Sequence, residues 1–182
     1  MKIIGLCGRA GAGKSTVVAI LKESFRDLQA VSTGDATRRL LNNRNLEINH
    51  QNLQAITEEI LADRGPDFIS FIFEFIDTKS SIVLIDSFRR IQDIECVTKT
   101  FGPPVVICVD APEELRFKRL IARSRAADAL DEASFKDLKA LEESWGVDEV
   151  CRMASRVIFN TQFLPEFRRQ VITTFQEVIS SR

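Results

Sequence analysis

The chain has 182 residues, which suits a single domain that can bury its own core without metals or disulfides. Its formal net charge is −1 and 45% of its residues are apolar, so no overall field attracts nucleic acid or acidic lipid. No apolar run reaches the roughly 18 residues of a membrane span, and the N-terminus does not resemble a secretion signal. We therefore expect a cytoplasmic protein whose anion-binding site is local, with neither nucleic acid nor membrane as a partner.

The cysteines are far apart in the sequence, and their spacings are not typical of a zinc or redox pair. We expect all of them to be free thiols that act as small buried hydrophobes in a reducing compartment. They are Cys7, Cys96, Cys108 and Cys151.

The first predicted element is a buried β-strand over residues 3–7, a short apolar run that leads into a glycine-rich loop. Residues 8–15 have the spacing G-x-x-x-x-G-K-S, and helical periodicity begins after them. A strand before the loop and a helix after it are the context that a phosphate-binding loop requires. The sequence therefore predicts a site for a nucleoside triphosphate.

Each part of this loop has a physical task. Glycines let the backbone approach phosphate closely, and exposed N–H groups at a helix N-terminus attract anions. Lys14 would reach the β- and γ-phosphates, and the hydroxyl of Ser15 would bind Mg²⁺. The predicted nucleotide-binding residues of the loop are Gly8, Arg9, Ala10, Gly11, Ala12, Gly13, Lys14, Ser15 and Thr16.

Four later apolar runs predict further strands, at residues 30–32, 82–85, 105–109 and 156–159. They are near-continuous rather than alternating, which is typical of parallel strands covered on both faces, and helical stretches lie between them. Asp86 directly follows the third strand. Given the phosphate loop, we expect its carboxylate to join the shell of the Mg²⁺ ion.

Two later segments resemble parts of adenylate kinases. Residues 32–38 read Ser-Thr-Gly-Asp-Ala-Thr-Arg, and residues 86–90 read Asp-Ser-Phe-Arg-Arg. In adenylate kinases the arginines of these segments hold the acceptor monophosphate. By this resemblance, the acceptor-binding residues are Thr33, Asp35, Arg38 and Arg89.

The second segment departs from the adenylate kinase pattern. Ser87 replaces a glycine and Arg89 stands at a proline position, so Arg90 is an alternative to Arg89. Residues 86–89 and 144–146 (Ser-Trp-Gly) resemble more closely an archaeal-type group of adenylate-kinase-like and dephospho-CoA-kinase-like P-loop proteins. The resemblance implies an α/β fold of three layers, with a five-stranded parallel sheet in the order 2-3-1-4-5.

A basic helix face follows the fourth strand. Arg116, Arg119 and Arg123 have the i, i+3, i+7 spacing that places them on one side of a helix. By resemblance to nucleotide kinases, Arg119 and Arg123 would meet the transferring phosphate. The alternative is an ordinary solvated basic face.

The next segment, residues 124–145, is lid-like by position but poor in cations. Its part over residues 131–143 contains only Lys136 and Lys139 as positive charges. A lid usually closes cations onto the γ-phosphate, so the lid is rudimentary, the activity slow or the acceptor unusual. Trp145 could close on a base, although a packed core tryptophan is the favoured interpretation.

Three lesser features complete the sequence. His50 is interpreted as a helix-entry residue, and Asn160 resembles a loop position near the adenine of nucleotide kinases but could instead cap its turn. A wide apolar stripe, with Phe73 outside it, predicts a core helix. Its members are Phe68, Phe71, Ile72, Phe75 and Ile76.

Together these features predict one domain over residues 1–182, with a helical acceptor-binding insertion at 33–77. The predicted function is ATP- and Mg²⁺-dependent phosphoryl transfer to a small phosphorylated acceptor, most simply a nucleoside monophosphate. Lys14 and the two arginines of the helix face would neutralise the transferring group. Dephospho-CoA kinase activity, a nucleotide-binding regulatory module and a slow NTPase are the alternatives. The sequence leaves open ATP against GTP, and monomer against homodimer.

Overall fold

The computed structural model describes residues 1–123, 131–161 and 163–180, and five strands alternate with helices along them. The strands are β1 (Lys2–Cys7), β2 (Leu28–Ser32), β3 (Ile82–Phe88), β4 (Val105–Asp110) and β5 (Arg156–Phe159). The α-helices are α1 (Lys14–Ser24), α2 (Thr33–Asn43), α3 (His50–Arg64), α4 (Ile91–Phe101), α5 (Glu113–Arg123), α6 (Glu132–Trp145), α7 (Val147–Arg152) and α8 (Leu164–Ser180). A 3₁₀ helix, Gly65–Phe75, lies between α3 and β3.

The five strands form one parallel sheet in the order β2-β3-β1-β4-β5. In the centre, Ile4 pairs with Leu84 of β3 and with Val105 of β4. The predicted fold class and strand order are therefore confirmed. Because the strands are parallel, their carboxyl ends share one edge of the sheet, where open α/β sheets bind ligands.

Alternating residues of β1 serve two cores, one on each face of the sheet. Ile4 and Leu6 pack with α1 and α8, whereas Ile3 and Cys7 pack with α2, α3, the 3₁₀ helix, α4 and α7. Gly5 faces the second core, where a Cβ atom would lie 2.2 Å from the ring of Phe88. The three-layer arrangement follows from strands that are apolar on both faces.

Several predicted element boundaries are wrong. β2 begins two residues before the predicted position 30, and β3 continues through Phe88, so Asp86 lies within the strand. Pairing explains the extension, because Asp86 aligns with Ser32 of β2 and Leu6 of β1. The apolar stripe lies on the 3₁₀ helix and not on an α-helix. Phe73, predicted to fall outside the stripe, packs its ring 4.9 Å from that of Phe101.

The prediction of four free thiols is wrong for one pair. Cys108 and Cys151 form a disulfide with their Cα atoms 5.2 Å apart, and the Cys7 Sγ lies 3.6 Å from that of Cys151. Cys7 pairs with Cys108 across neighbouring strands, and α7 packs over both strands. The packing of α7 on the sheet therefore brings together two cysteines that are 43 positions apart, a separation from which the sequence alone could not predict a contact. Cys96 and Cys7 remain free thiols.

Across the described ranges, none of the helices has the length and apolar character that crossing a membrane requires.

Candidate active site

The glycine-rich loop connects β1 to α1 at the carboxyl edge of the sheet. Gly8 has a φ of 134°, and a Cβ atom there would lie 2.2 Å from the Val109 carbonyl oxygen. Gly13 has a φ of 108°, and its Cβ would lie 2.1 Å from the Asn160 Nδ2. Both positions require glycine, because the backbone is left-handed and the space for a side chain is filled.

Asn160, which directly follows β5, and Arg119 of α5 brace this loop from outside. Asn160 donates from Nδ2 to the Ala12 carbonyl oxygen at 2.8 Å, and only 7% of its surface is exposed. Arg119 donates to the Asn160 carbonyl at 2.9 Å and to the Gly11 carbonyl at 3.5 Å. Asn160 therefore supports the loop. Its predicted contact with adenine stays a prediction.

Of the other two arginines of α5, Arg116 lies in the interior and Arg123 lies on the surface. Arg116 is buried, stacks on Phe135 and donates to the Ala10 carbonyl oxygen at 3.4 Å. Arg123, the last residue of the helix, is exposed. The basic face is consequently not a uniformly solvated surface, since Arg116 and Arg119 both contact the phosphate loop.

Lys14 lies inside the loop. Its ammonium donates to the carbonyl oxygens of Gly8 at 2.6 Å and Arg9 at 3.1 Å. Burial lowers its pKa, and the attraction of Asp86 partly offsets that effect. Within the described part of the chain, the N–H groups of Gly11, Gly13 and Lys14 have no acceptor. These groups and the buried ammonium form an anion site at the N-terminus of α1.

Two residues near this anion site carry oxygen atoms that could bind a metal ion. Ser15 is exposed in the first turn of α1, and Asp86 pairs in the sheet with Leu6, two residues before the loop begins, with a charge that raises the pKa of Lys14. Hydroxyl and carboxylate oxygens are ligands that suit Mg²⁺. The residues present therefore fit the ion that the phosphate loop implies.

A cavity of about 170 Å³ opens between α2, α3, the 3₁₀ helix, α4 and α6, next to the segment that follows β3. The Arg89 guanidinium lies 4.8 Å from the centre of the Trp145 ring, and burial lowers the pKa of Arg89. Trp145 is half-buried at this cavity, so its interpretation as a core residue is wrong. The lining residues are Thr33, Thr57, Leu61, Phe68, Ile69, Arg89, Arg90, Asp93 and Trp145.

The predicted acceptor residues separate into two groups. Thr33 and Arg89 line the cavity together, whereas Asp35 and Arg38 form an exposed ion pair of 3.1 Å on α2 and do not line it. The alternative arginine, Arg90, also lines the cavity, but its side chain donates to the Asp93 carboxylate at 2.9 Å. Arg89 is thus the arginine with the charge best placed for an acceptor.

Acidic residues of α6 and α7 meet the phosphate loop, and the sequence analysis did not identify them. Glu142 accepts a hydrogen bond of 2.6 Å from the Ala10 N–H, and Arg9 donates to Asp148 and Glu143. The lid-like segment, residues 124–145, was predicted to be poor in cations, and its first seven residues lie outside the described ranges. The one available signal was the i, i+3 spacing of Glu142 and Trp145, which places both on one helix face.

Comparison with known proteins agrees with this geometry. A family model described as an AAA domain, AAA_17, matches residues 7–136. A UPF0200 protein of Methanosarcina mazei is 30% identical over 94% of this chain and 92% of its own length. One of Methanosarcina acetivorans is 29% identical over 100% of this chain and 97% of its own length. The chain spans about half (54%) of a UPF0200/UPF0201 protein of Archaeoglobus fulgidus, at 30% identity.

Solved structures share the fold at low sequence identity. A shikimate kinase of Bacteroides thetaiotaomicron superposes with a TM-score of 0.63 at 13% identity, covering 99% of both chains. A shikimate kinase of Acinetobacter baumannii in complex with shikimate gives 0.59 at 18% identity, covering 99% of this chain and 94% of that one. The fold is therefore that of P-loop kinases. The chain belongs to the AAA_17 domain family and to the UPF0200 proteins.

Proposed function

We propose that this protein transfers the γ-phosphoryl group of ATP to a small phosphorylated acceptor, most simply a nucleoside monophosphate. The observation that carries the proposal is the cavity at Arg89 and Trp145, which α6 connects to the phosphate loop. Trp145 lines the cavity, and Glu142, one helical turn earlier, accepts a hydrogen bond of 2.6 Å from the Ala10 N–H of the loop. A donor site and an acceptor site in such proximity are what phosphoryl transfer requires.

Each charged residue has a task in this proposal. Lys14, Arg119 and Arg123 neutralise charge on the transferring group, and Arg89 and Thr33 hold the acceptor, with Asp35 and Arg38 as further acceptor-binding residues outside the cavity lining. Ser15 and Asp86 hold Mg²⁺, which bridges phosphate oxygens and withdraws negative charge from them when bound. No side chain has to act as a covalent nucleophile, because catalysis of this reaction consists mainly of positioning and electrostatic stabilisation.

The size of the cavity favours a small acceptor. Its volume of about 170 Å³ is below the range of about 300–1,000 Å³ typical of sites for larger ligands. An acceptor of the size of dephospho-CoA would exceed this volume by much more than a nucleoside monophosphate, whose phosphate would lie toward Arg89. The fold shared with shikimate kinases supports a small acceptor as well, since those enzymes are named for a small molecule.

One observation favours a second candidate, a nucleotide-binding module with little turnover. The described part of the lid segment presents carboxylates to the phosphate loop, through Glu142 and through the ion pair of Arg9 with Asp148. A lid that supplies negative charge does not by itself stabilise a transferring phosphoryl group. Turnover measurements separate this candidate from a kinase.

An acceptor screen tests the proposal. Purified protein with Mg²⁺ and either ATP or GTP is offered each nucleoside monophosphate, each deoxy form, dephospho-CoA and shikimate, and nucleoside diphosphate release is measured. We expect one acceptor class to raise the rate well above the rate without acceptor, and Lys14→Ala to remove that stimulation. An equal rate with every compound would contradict the kinase proposal and favour the binding module.

A further inference from the structure

Glu142 is a buried acid in direct contact with the phosphate loop. It lies in the last turn of α6, only 5% of its surface is exposed, and its Oε1 accepts the Ala10 N–H at 2.6 Å. Burial of a carboxylate is costly unless positive charge or hydrogen bonds compensate for it. The neighbours of Glu142 therefore have to supply that compensation.

Four cations interact electrostatically with this carboxylate: two of the phosphate loop, one of α5 and one after β3. Burial lowers the pKa of Arg89 and of Arg116, and the charge of Glu142 is the largest effect that raises each of them again. Glu142 also acts on Arg9 and Lys14 in the same sense. A loop N–H group together with converging lysine and arginine side chains is the environment that binds phosphate oxygens.

The carboxylate does not fill this environment completely. Its Oε2 atom and the Nη1 atom of Arg9 are buried, and neither has a hydrogen-bond partner among the described residues. An unsatisfied buried polar atom costs folding free energy, so these groups are not optimised for each other. A phosphate group has three terminal oxygens and could satisfy donors that one carboxylate leaves open.

The position of the hydrogen bond between the Ala10 N–H and Glu142 indicates which phosphate of a nucleotide would compete with Glu142. Gly11, Gly13 and Lys14 keep open N–H groups next to the N-terminus of α1, while the Ala10 N–H on the outer side of the loop is occupied by Glu142. The phosphates nearer the base fit the open groups at the helix N-terminus. The terminal phosphate of a triphosphate then lies toward Glu142.

We infer that Glu142 is an internal anion that occupies the terminal-phosphate edge of the loop in the nucleotide-free protein and is displaced when a triphosphate binds. Trp145 follows it by one helical turn and stacks on Arg89 at the acceptor cavity. A shift of α6 that displaces Glu142 would move Trp145 as well, which would couple triphosphate binding to the shape of the acceptor cavity. The inference rests on the proposed function only in that the loop must bind nucleotide.

Calorimetric titration of three proteins tests this competition. Wild type, Glu142→Gln and Glu143→Gln are titrated with ADP and with a non-hydrolysable ATP analogue. Glu143 is the matched control, because it is the adjacent acid, its side chain is 57% exposed and its contact with the loop is an ion pair of 3.4 Å with Arg9. We expect Glu142→Gln to bind the ATP analogue about tenfold more tightly, which equals about 1.4 kcal/mol, with a smaller gain for ADP and no gain in the control.

Unchanged or weaker binding of the ATP analogue by Glu142→Gln would overturn the inference, and so would an equal gain in Glu143→Gln. A wild-type protein that binds no nucleotide would instead contradict the proposed function, so the two failures are distinguishable.

Trp145 fluorescence provides a second measurement, which already reports on the wild type alone. Trp145 is the only tryptophan of the chain, so its emission reports on α6 without labelling. We expect the ATP analogue to change the emission of the wild type, and nucleotide-free Glu142→Gln to resemble the saturated wild type. Emission that is the same with and without bound analogue would show that α6 does not move, and would overturn the inference.

Discussion

The donor side and the acceptor side of this site are built differently. The phosphate loop follows one short segment of sequence and is braced by Asn160 and Arg119 through hydrogen bonds to its carbonyl groups. The acceptor cavity has walls from several helices that lie far apart in sequence, and the ion pair of Asp35 and Arg38 near it is exposed. The comparison teaches that the loop depends on one local segment, whereas the cavity depends on how separate helices pack; under the proposed function, the loop would bind the transferring phosphate and helix packing would set the acceptor.

The largest effect expected on the donor side comes from Lys14→Ala. Removal of a buried ammonium from the phosphate loop should lower turnover by about a thousandfold, because a single charge-stabilising group contributes 10²–10³ or more in rate. Lys22→Ala changes an exposed lysine of the same helix and is the matched control, with an unchanged rate. Steady-state kinetics and circular dichroism check the rate and the fold. Equal effects of the two variants would contradict a special role of the loop.

The rigidity of the loop is tested by Gly13→Ala. Its Cβ would meet Asn160 and its φ of 108° is left-handed, so the free energy of unfolding should fall by about 2–3 kcal/mol. Gly102→Ala is the matched control, since Gly102 has a φ of 87° with open space around it, and should cost only about 1 kcal/mol. Urea denaturation measures both losses. A smaller loss at Gly13 than at Gly102 would show that the brace by Asn160 is weak.

On the acceptor side, substitutions of Arg89 and Arg38 compare an arginine that lines the cavity with one that does not. Arg89→Ala should raise the KM for the acceptor by about 10- to 100-fold, because a charge-assisted contact is lost from an arginine that lines the cavity and stacks on Trp145. Arg38→Ala should raise it by less than about threefold, since that side chain is 49% exposed and screened by water. The affinity for ATP should stay unchanged in both variants. A larger effect at Arg38 would move the acceptor out of the cavity and onto α2.

The smallest expected effect concerns Cys7, directly before the loop, and how the free energy of unfolding depends on pH. Burial raises its pKa from 9.0 to about 12, so the folded state keeps the thiol protonated where the unfolded state ionises. The contribution to stability is complete below pH 9 and is lost progressively as the pH rises toward 12. At pH 10 the wild type should have lost about 1.4 kcal/mol more than Cys7→Ser, by urea denaturation. Equal losses in both proteins would show that the thiol is accessible to water.

The predictable parts of the molecule are those with a local signal. The loop at residues 8–15 combines fixed spacing with a strand before it and a helix after it, and the continuous apolar runs indicated parallel strands. The strand order needed the resemblance to nucleotide kinases, because spacing along the chain does not specify which strands are neighbours. For the same reason Asp86 was expected after a strand and lies within one, since its pairing with Ser32 and Leu6 is a property of the sheet.

The remaining features depend on packing between distant segments. Trp145 lines a cavity only because α6 lies against the end of β3, and Glu142 meets Ala10 across 132 positions of sequence. Cys108 and Cys151 form a disulfide through the position of α7 over the sheet. Composition or periodicity gives no signal for such contacts, since the same residues would serve equally well on an exposed helix face or in a core.

The most direct test of phosphoryl transfer between the two sides follows the γ-phosphate itself. ATP labelled in the γ-position is mixed with excess protein, Mg²⁺ and the acceptor that gives the highest rate in the screen, and the products of one turnover are separated. The donor and acceptor geometry predicts that the label appears on the acceptor, and that Arg89→Ala diverts it to water. Label found only in inorganic phosphate, in wild type and variant alike, would contradict a kinase and leave a nucleotide-hydrolysing module.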